Sequence, residues 1–178
     1  MTTLPEFRQS NKLAGALTTL PALEVTIDGQ DHLLTSSITI AQYLASMGSQ
    51  PELNGKTAFE RGQVDMWLQI IRQELQPLTR AVCYQAFGHV ECNTVEHQYV
   101  YGLLKDALKI PNNHLKGKSY FVGGYLTIPD IFFTLVQQEL QQGILDINCR
   151  NSMSNINSHF KNIASTCDAV KRHCGNLK

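Results

Sequence analysis

The sequence predicts a small α/β piece followed by an all-helical domain, and three features of the 178 residues predict it. Residues 20–47 alternate apolar and polar side chains, turn at an Asp-Gly pair, and then change to helical spacing. A stretch rich in Gly, Ser, Pro and Asn at 48–56 is the one convincing linker. Beyond it, apolar residues recur at helical spacing through about residue 175, with no strand-like run. The expected organisation is an α/β part at 1–47, a linker at 48–56 and a helical domain at 57–178.

Taken in order, residues 1–17 are poorly patterned and read as either a short helix or a loose arm. Leu20-Pro21-Ala22-Leu23-Glu24-Val25-Thr26-Ile27, alternating over its second half, reads as a strand, Asp28-Gly29 as a hairpin turn, and Leu33-Leu34 as the continuing second strand. Thr35, Ser36 and Ser37 can cap a helix that carries Ile38, Ile40, Ala41, Tyr43 and Leu44. Thr57 and Glu60 form a capping box for a long helix over about 57–86. Phe59, Val64, Trp67, Leu68, Ile71, Leu75, Leu78 and Val82 mark one face of it, and Pro77 is expected to kink or break it. Trp67 is most simply a core or inter-helix anchor. A second helix over 94–109 has Val95, Tyr99, Leu103, Ala107 and Leu108 in step and is expected to end at Pro111. Thr127 and Asp130, three apart ahead of an apolar run, form another capping box, with Ile128 and Pro129 in the first turn where a missing N–H costs little. Tyr125 or Leu126 can staple onto Ile131. A helix this apolar near its start belongs in a domain centre. A loop near Gly143 and weaker helices at about 152–163 and 166–175 complete the chain.

Composition excludes several classes. Lys and Arg number 15 against 15 Asp and Glu, and the pI is near 7.0, so there is no electrostatic footprint for strong nucleic-acid binding. Lys116 with Lys118, and Lys171-Arg172-His173, read as solvated surface or helix C-terminal charge. No apolar run approaches the length of a membrane span, and the N-terminus has no signal-peptide pattern. The five cysteines are scattered without metal spacing, and His89 and Cys92 have no second pair. Free thiols fit a reducing compartment, so a cytoplasmic location is expected. The six histidines share no metal spacing, and no phosphate-cradling glycine loop occurs.

Two motifs carry a family resemblance. Gly-Gly-Tyr-Leu-Thr-Ile-Pro-Asp at 123–130 resembles the Gly-x-x-x-Thr-aliphatic-Ala-Asp pattern that caps the buried helix of glutathione transferases, with Pro129 in place of the usual Ala. Leu-Pro-Ala-Leu at 20–23 is similar to the Val-Pro-x-Leu signature of the family's thioredoxin-like half. Residues 33–45 resemble its Leu-Thr-Glu-Ser-x-Ala-Ile-x-x-Tyr-Leu motif. The resemblance covers about 18–175 and implies a GST-like fold, α/β plus all-α, with a truncated thioredoxin-like half and an all-helical C-terminal domain. In the family the capping residues serve folding, and the proline is cis, so Pro21 is expected to be cis.

The same resemblance implies that the catalytic half is incomplete. The family places a strand, a helix and another strand before the cis-proline, whereas 20 residues precede Pro21 here, too few for such a unit. The thiol-activating Tyr, Ser or Cys of the family has no positioned counterpart, although Ser10 or a threonine of the arm could lie near the site. Of the glutathione-binding residues only Leu20, Pro21 and Ser37 carry over, as a vestigial site. Ser37 falls at a helix N-terminus suited to an anion, but Ser36 replaces the acidic or amide residue before it. No catalytic residue, metal or cofactor is expected, with glutathione as the one ligand the resemblance leaves open.

Non-catalytic relatives of the family belong to the translation machinery. Gln63-Val64-Asp65-Met66-Trp67-Leu68 is similar to the step that opens the helical domain of elongation factor one gamma and of the domains appended to methionyl- and glutamyl-tRNA synthetases. Glu74-Leu75-Gln76-Pro77 resembles its Pro-containing continuation, and Leu104-Lys105-Asp106 with the short N-terminus resembles the small auxiliary component of the multi-synthetase complex. The resemblance implies a scaffold whose partners are elongation-factor subunits or aminoacyl-tRNA synthetases, bound as a homo- or hetero-dimer. Trp67, Arg61, Arg72 and Arg80 are the interface candidates. The readings set against it are an atypical glutathione-binding transferase and a GST-like structural subunit of an unrelated assembly.

Overall fold

The computed structural model describes residues 20–91, 93–141 and 144–174. The expected arm at 1–17, Cys92 and the loop at Gly143 lie outside them. The chain divides between Leu53 and Asn54 into two compact units.

The first unit is built on a hairpin. Strands β1 (Ala22–Ile27) and β2 (Gln30–Thr35) pair antiparallel in the register Ala22↔Thr35 to Ile27↔Gln30. Asp28 and Gly29 connect them with φ of 51° and 76°, the left-handed pair that a two-residue loop needs to match strand twist. Helix α1 (Ser37–Met47) follows and packs on both strands. Its cap differs from the expected one. Ser36 occupies the N-cap position but makes no side-chain capping bond, and Ser37 is already the first helical residue.

The second unit is all helical. Helix α2 (Ala58–Ile70) starts at a complete capping box: Thr57 Oγ1 accepts from Glu60 N–H at 3.1 Å, and Glu60 Oε2 accepts from Thr57 N–H at 3.0 Å. The same carboxylate accepts from the Tyr125 hydroxyl at 2.9 Å and from Lys56 N–H at 2.9 Å. Gly55 lets the chain enter this knot, because its φ is +92° and a Cβ there would stand 2.7 Å from the Arg61 nitrogen.

At Pro77 the helical ladder changes form without a gap in the helical residues. A π-helical turn, Ile71–Leu75, widens the ladder so that Gln76 N–H reaches Ile71 C=O, and helix α3 (Gln76–Ala86) restarts with the proline in its first turn. Helix α4 (Thr94–His114), capped by Asn93, runs through Pro111 to His114 instead of stopping before the proline. Pro111 lies one turn from the helix end, buried, and its carbonyl still accepts from Leu115 N–H at 2.9 Å.

Helix α5 (Ile128–Gln141) forms the centre, contacting α2, α3 and α7 (Ser154–Thr166). Its start is half of the expected capping box. Asp130 Oδ2 accepts from Thr127 N–H at 2.8 Å, but the Thr127 hydroxyl donates to that carboxylate at 2.6 Å instead of accepting. The other oxygen, Oδ1, accepts from Phe121 N–H and meets His159 Nε2 of α7, both at 2.8 Å. Asp130 and His159 are wholly buried, so four polar contacts converge on one carboxylate that water does not reach. Leu126 rather than Tyr125 supplies the apolar clasp, packing with Ile131 against the cluster around Ile163, Ala164 and Val170. Two short helices complete the unit, α6 (Ile147–Ser152), capped by Asp146, and α8 (Asp168–Cys174). Asp146 thus starts a helix that periodicity did not predict.

Candidate functional site

In the first unit the register places Leu20-Pro21 and Ser36-Ser37 at the same end of the hairpin, since Ala22 faces Thr35. The Leu20–Pro21 peptide is cis, and Leu20 is half-exposed. Ser36 adopts φ 77° and ψ 123°, a conformation that costs a non-glycine residue on the order of 1–3 kcal/mol. Ser36 makes no side-chain cap on the first-turn N–H groups of α1, the groups an anion would take. The three expected glutathione contacts, Leu20, Pro21 and Ser37, thus lie at one end of the hairpin. Residues 20–53 contain no Lys, Arg or Cys, so no cation or thiol of this stretch assists. Ser10 and the threonines of the arm lie outside the described residues.

The interface candidates separate in the second unit. Trp67 does not lie at the surface. It is 4% exposed, with ring centroids 4.4 Å from His114 and 4.8 Å from Phe121, so it serves as the core anchor and not as an interface residue. Arg61, Arg72 and Arg80 are exposed, on α2, the π turn and α3.

Helix α4 separates residues that periodicity grouped in step, with Leu108 buried and Val95, Tyr99 and Leu103 exposed. Val95, Tyr99, Leu103 and Ile110 are 76%, 68%, 40% and 52% exposed. At about 100° per residue they form one stripe, and Tyr101, Leu104, Leu108 and Pro111 form another on the opposite side. The second stripe faces the protein: Leu104, Leu108 and Pro111 are buried, and the Tyr101 hydroxyl donates to Asp146 at 2.8 Å while accepting from Asp146 N–H at 3.0 Å. Phe59, grouped on one face of its helix with the buried Val64, Trp67 and Leu68, is 76% exposed. Their apolar character was legible; the side they face was not.

The available chemistry is poor in nucleophiles. A cleft of about 620 Å³ between α4 and α6 is lined by Lys105, Asp106, Lys109, Asp146 and Cys149. Its charges compensate one another, with Lys109 on Asp106 at 2.7 Å and Lys105 over the Tyr101 ring. Burial, reinforced by Asp146, pushes the Cys149 thiol up, and burial raises Cys83 to about 11, so both stay protonated at neutral pH. Among the described residues no cluster of His, Cys, Asp and Glu could hold a metal ion, and no helix is long and apolar enough to cross a membrane.

No protein-family model matches the chain. Two curated relatives represent the two branches of its similarity. Elongation factor 1-gamma of Artemia salina is 27% identical over 158 residues, covering 86% of this chain and 35% of the relative. Glutathione S-transferase stcT of Emericella nidulans is 26% identical over 164 residues, covering 90% of this chain and 73% of the relative. The chain thus spans about a third of the length of the elongation factor it matches. Among solved structures, the GST-like domain of elongation factor 1-gamma from Saccharomyces cerevisiae superposes with a TM-score of 0.75 at 14% identity, covering 83% of this chain and 69% of that one. The chain has a GST-like fold, with, among the described residues, a two-strand sheet and a helical second unit.

Proposed function

We propose that the chain is a non-catalytic GST-like interaction module of the translation machinery, acting in the cytoplasm within an elongation factor 1 complex or a multi-aminoacyl-tRNA-synthetase assembly. The observation that carries this reading is the outward apolar stripe of α4, Val95, Tyr99, Leu103 and Ile110. A side of a helix diametrically opposite the core gains nothing for the fold from four large apolar residues, whereas each buried in a partner contributes roughly 1.5–3 kcal/mol. Partners, as homo- or hetero-dimer, dock on this stripe, with the exposed Arg61, Arg72 and Arg80 as candidate polar contacts. The similarity to elongation factor 1-gamma supports the translation setting. Affinity capture from the native lysate tests it. Recovery of elongation-factor subunits or synthetases, with no retention on immobilised glutathione, is the expected result.

A second reading, an atypical glutathione-binding transferase, is favoured by one observation: Leu20-Pro21 and Ser36-Ser37 stand at the same end of the hairpin, where Ser36 has φ 77° and makes no side-chain cap on α1. Calorimetric titration with glutathione distinguishes it. Saturable binding that Ser37→Ala weakens, with turnover of a generic electrophile, would replace the scaffold reading.

A further inference from the structure

The turn that closes the hairpin also fixes which backbone groups face outward. Across a two-residue loop the flanking pair, Ile27 and Gln30, exchanges both hydrogen bonds. Alternation along the register makes Val25–His32 and Leu23–Leu34 the other bonded pairs. The N–H and C=O groups of Ala22, Glu24 and Thr26 therefore point away from β2, repeating every two residues, roughly 7 Å. Among the described residues the sheet has two strands, β1 and β2, and the backbone bonds outside helices and strands include none from these three residues.

Of the two edges, that of β1 is the less guarded. It reads Ala-Leu-Glu-Val-Thr-Ile, strongly β-forming and without Lys or Pro, whereas β2 opens with Gln-Asp-His. A hairpin with one covering helix also gains from a third strand. Charge then selects the visitor. Glu24, Asp28, Asp31 and Glu52 are the acidic residues of 20–53, which contains no Lys or Arg, and the first three are exposed on the hairpin.

We propose that the outer edge of β1 accepts a basic, extended segment of a partner protein as a third strand, the backbone bonds of Ala22, Glu24 and Thr26 giving register and the hairpin carboxylates selecting Lys and Arg. This surface is separate from the α4 stripe and does not depend on what docks there.

The test uses the full chain and a labelled eight-residue peptide of alternating Lys and Val, with a Glu–Val peptide as control. Glu24→Pro removes an outward N–H while sparing every bond to β2, and is expected to weaken Lys–Val binding at least about tenfold, the worth of one or two hydrogen bonds. Should the proline disturb the hairpin, seen as lost Leu23–Leu34 cross-strand contacts by NMR, the double variant Glu24→Gln, Asp31→Asn carries the test. It is expected to weaken the same peptide and flatten its salt dependence. Unchanged binding in the variants, or equal binding of the Glu–Val peptide, overturns the proposal. So does slow amide exchange at Glu24 and Thr26 before peptide is added, which would mean that this chain or a second copy already pairs the edge.

Discussion

At the residue scale, Asp130 has the most structural consequence. Its two oxygens bind the N–H of Phe121, the N–H and hydroxyl of Thr127, and His159 of α7, all without water. Removing one partner leaves the others buried and unsatisfied, so Asp130→Ala is expected to cost roughly 3–5 kcal/mol by urea denaturation. A loss below about 1 kcal/mol would show that the network is dispensable. Only part of this was legible. Thr127 and Asp130 lie three residues apart and announce a helix start, whereas His159 is 29 positions away and no local pattern joins it to them.

Glu60 makes a second prediction at this scale. The Tyr125 hydroxyl, then the Thr57 N–H, hold its carboxyl below the usual range. Its folded-state pKa lies below the unfolded one, so its contribution is full above the unfolded value and is lost as pH falls through the folded one. Tyr125→Phe is therefore expected to move the Glu60 titration, followed by carboxyl carbon NMR, toward the ordinary value. An unmoved midpoint would assign the shift to the backbone bonds.

At the scale of elements, α4 shows what a hydrophobic period does and does not tell. A helix with apolar residues on two opposite sides satisfies the 3.6-residue pattern either way, and Val95-Tyr99-Leu103 was the more conspicuous series. The deciding information is tertiary: α3 packs on α4, and Tyr101 ties it to Asp146. Leu104→Ala is accordingly expected to destabilise by about 2–5 kcal/mol, while Tyr99→Ala stays within about 0.5 kcal/mol. Reversed magnitudes in thermal or urea unfolding would mean that the faces are misassigned. The π turn was hidden for a related reason. Pro77 announces a break, but whether the ladder breaks or widens depends on Ile71 and Leu75, both held in the core. Its opposite is the β-hairpin, where Asp28-Gly29 marked the turn from sequence alone and the structure pairs the strands around it.

At the scale of the whole molecule, the fold was readable because its signatures are short and local: a proline before a strand, a serine at a helix start, a Thr-x-x-Asp cap. The proposed docking surface was not, because exposure belongs to no local window. A chain with balanced charge and an apolar docking stripe should hold its partner with little dependence on salt, since screening weakens charge pairs and not apolar burial. Complexes captured at low salt are thus expected to survive a wash at several-fold higher ionic strength. Their release there would shift the interaction to charged groups, the exposed arginines or the hairpin carboxylates.

The most direct measurement compares capture by the natural chain with capture by a Val95→Asp, Tyr99→Glu variant of unchanged circular dichroism, in the native lysate with mass-spectrometric readout. The account predicts elongation-factor subunits or aminoacyl-tRNA synthetases on the natural chain and their loss from the variant. The same translation partners on both chains, or none on either alongside retention on glutathione, would contradict it.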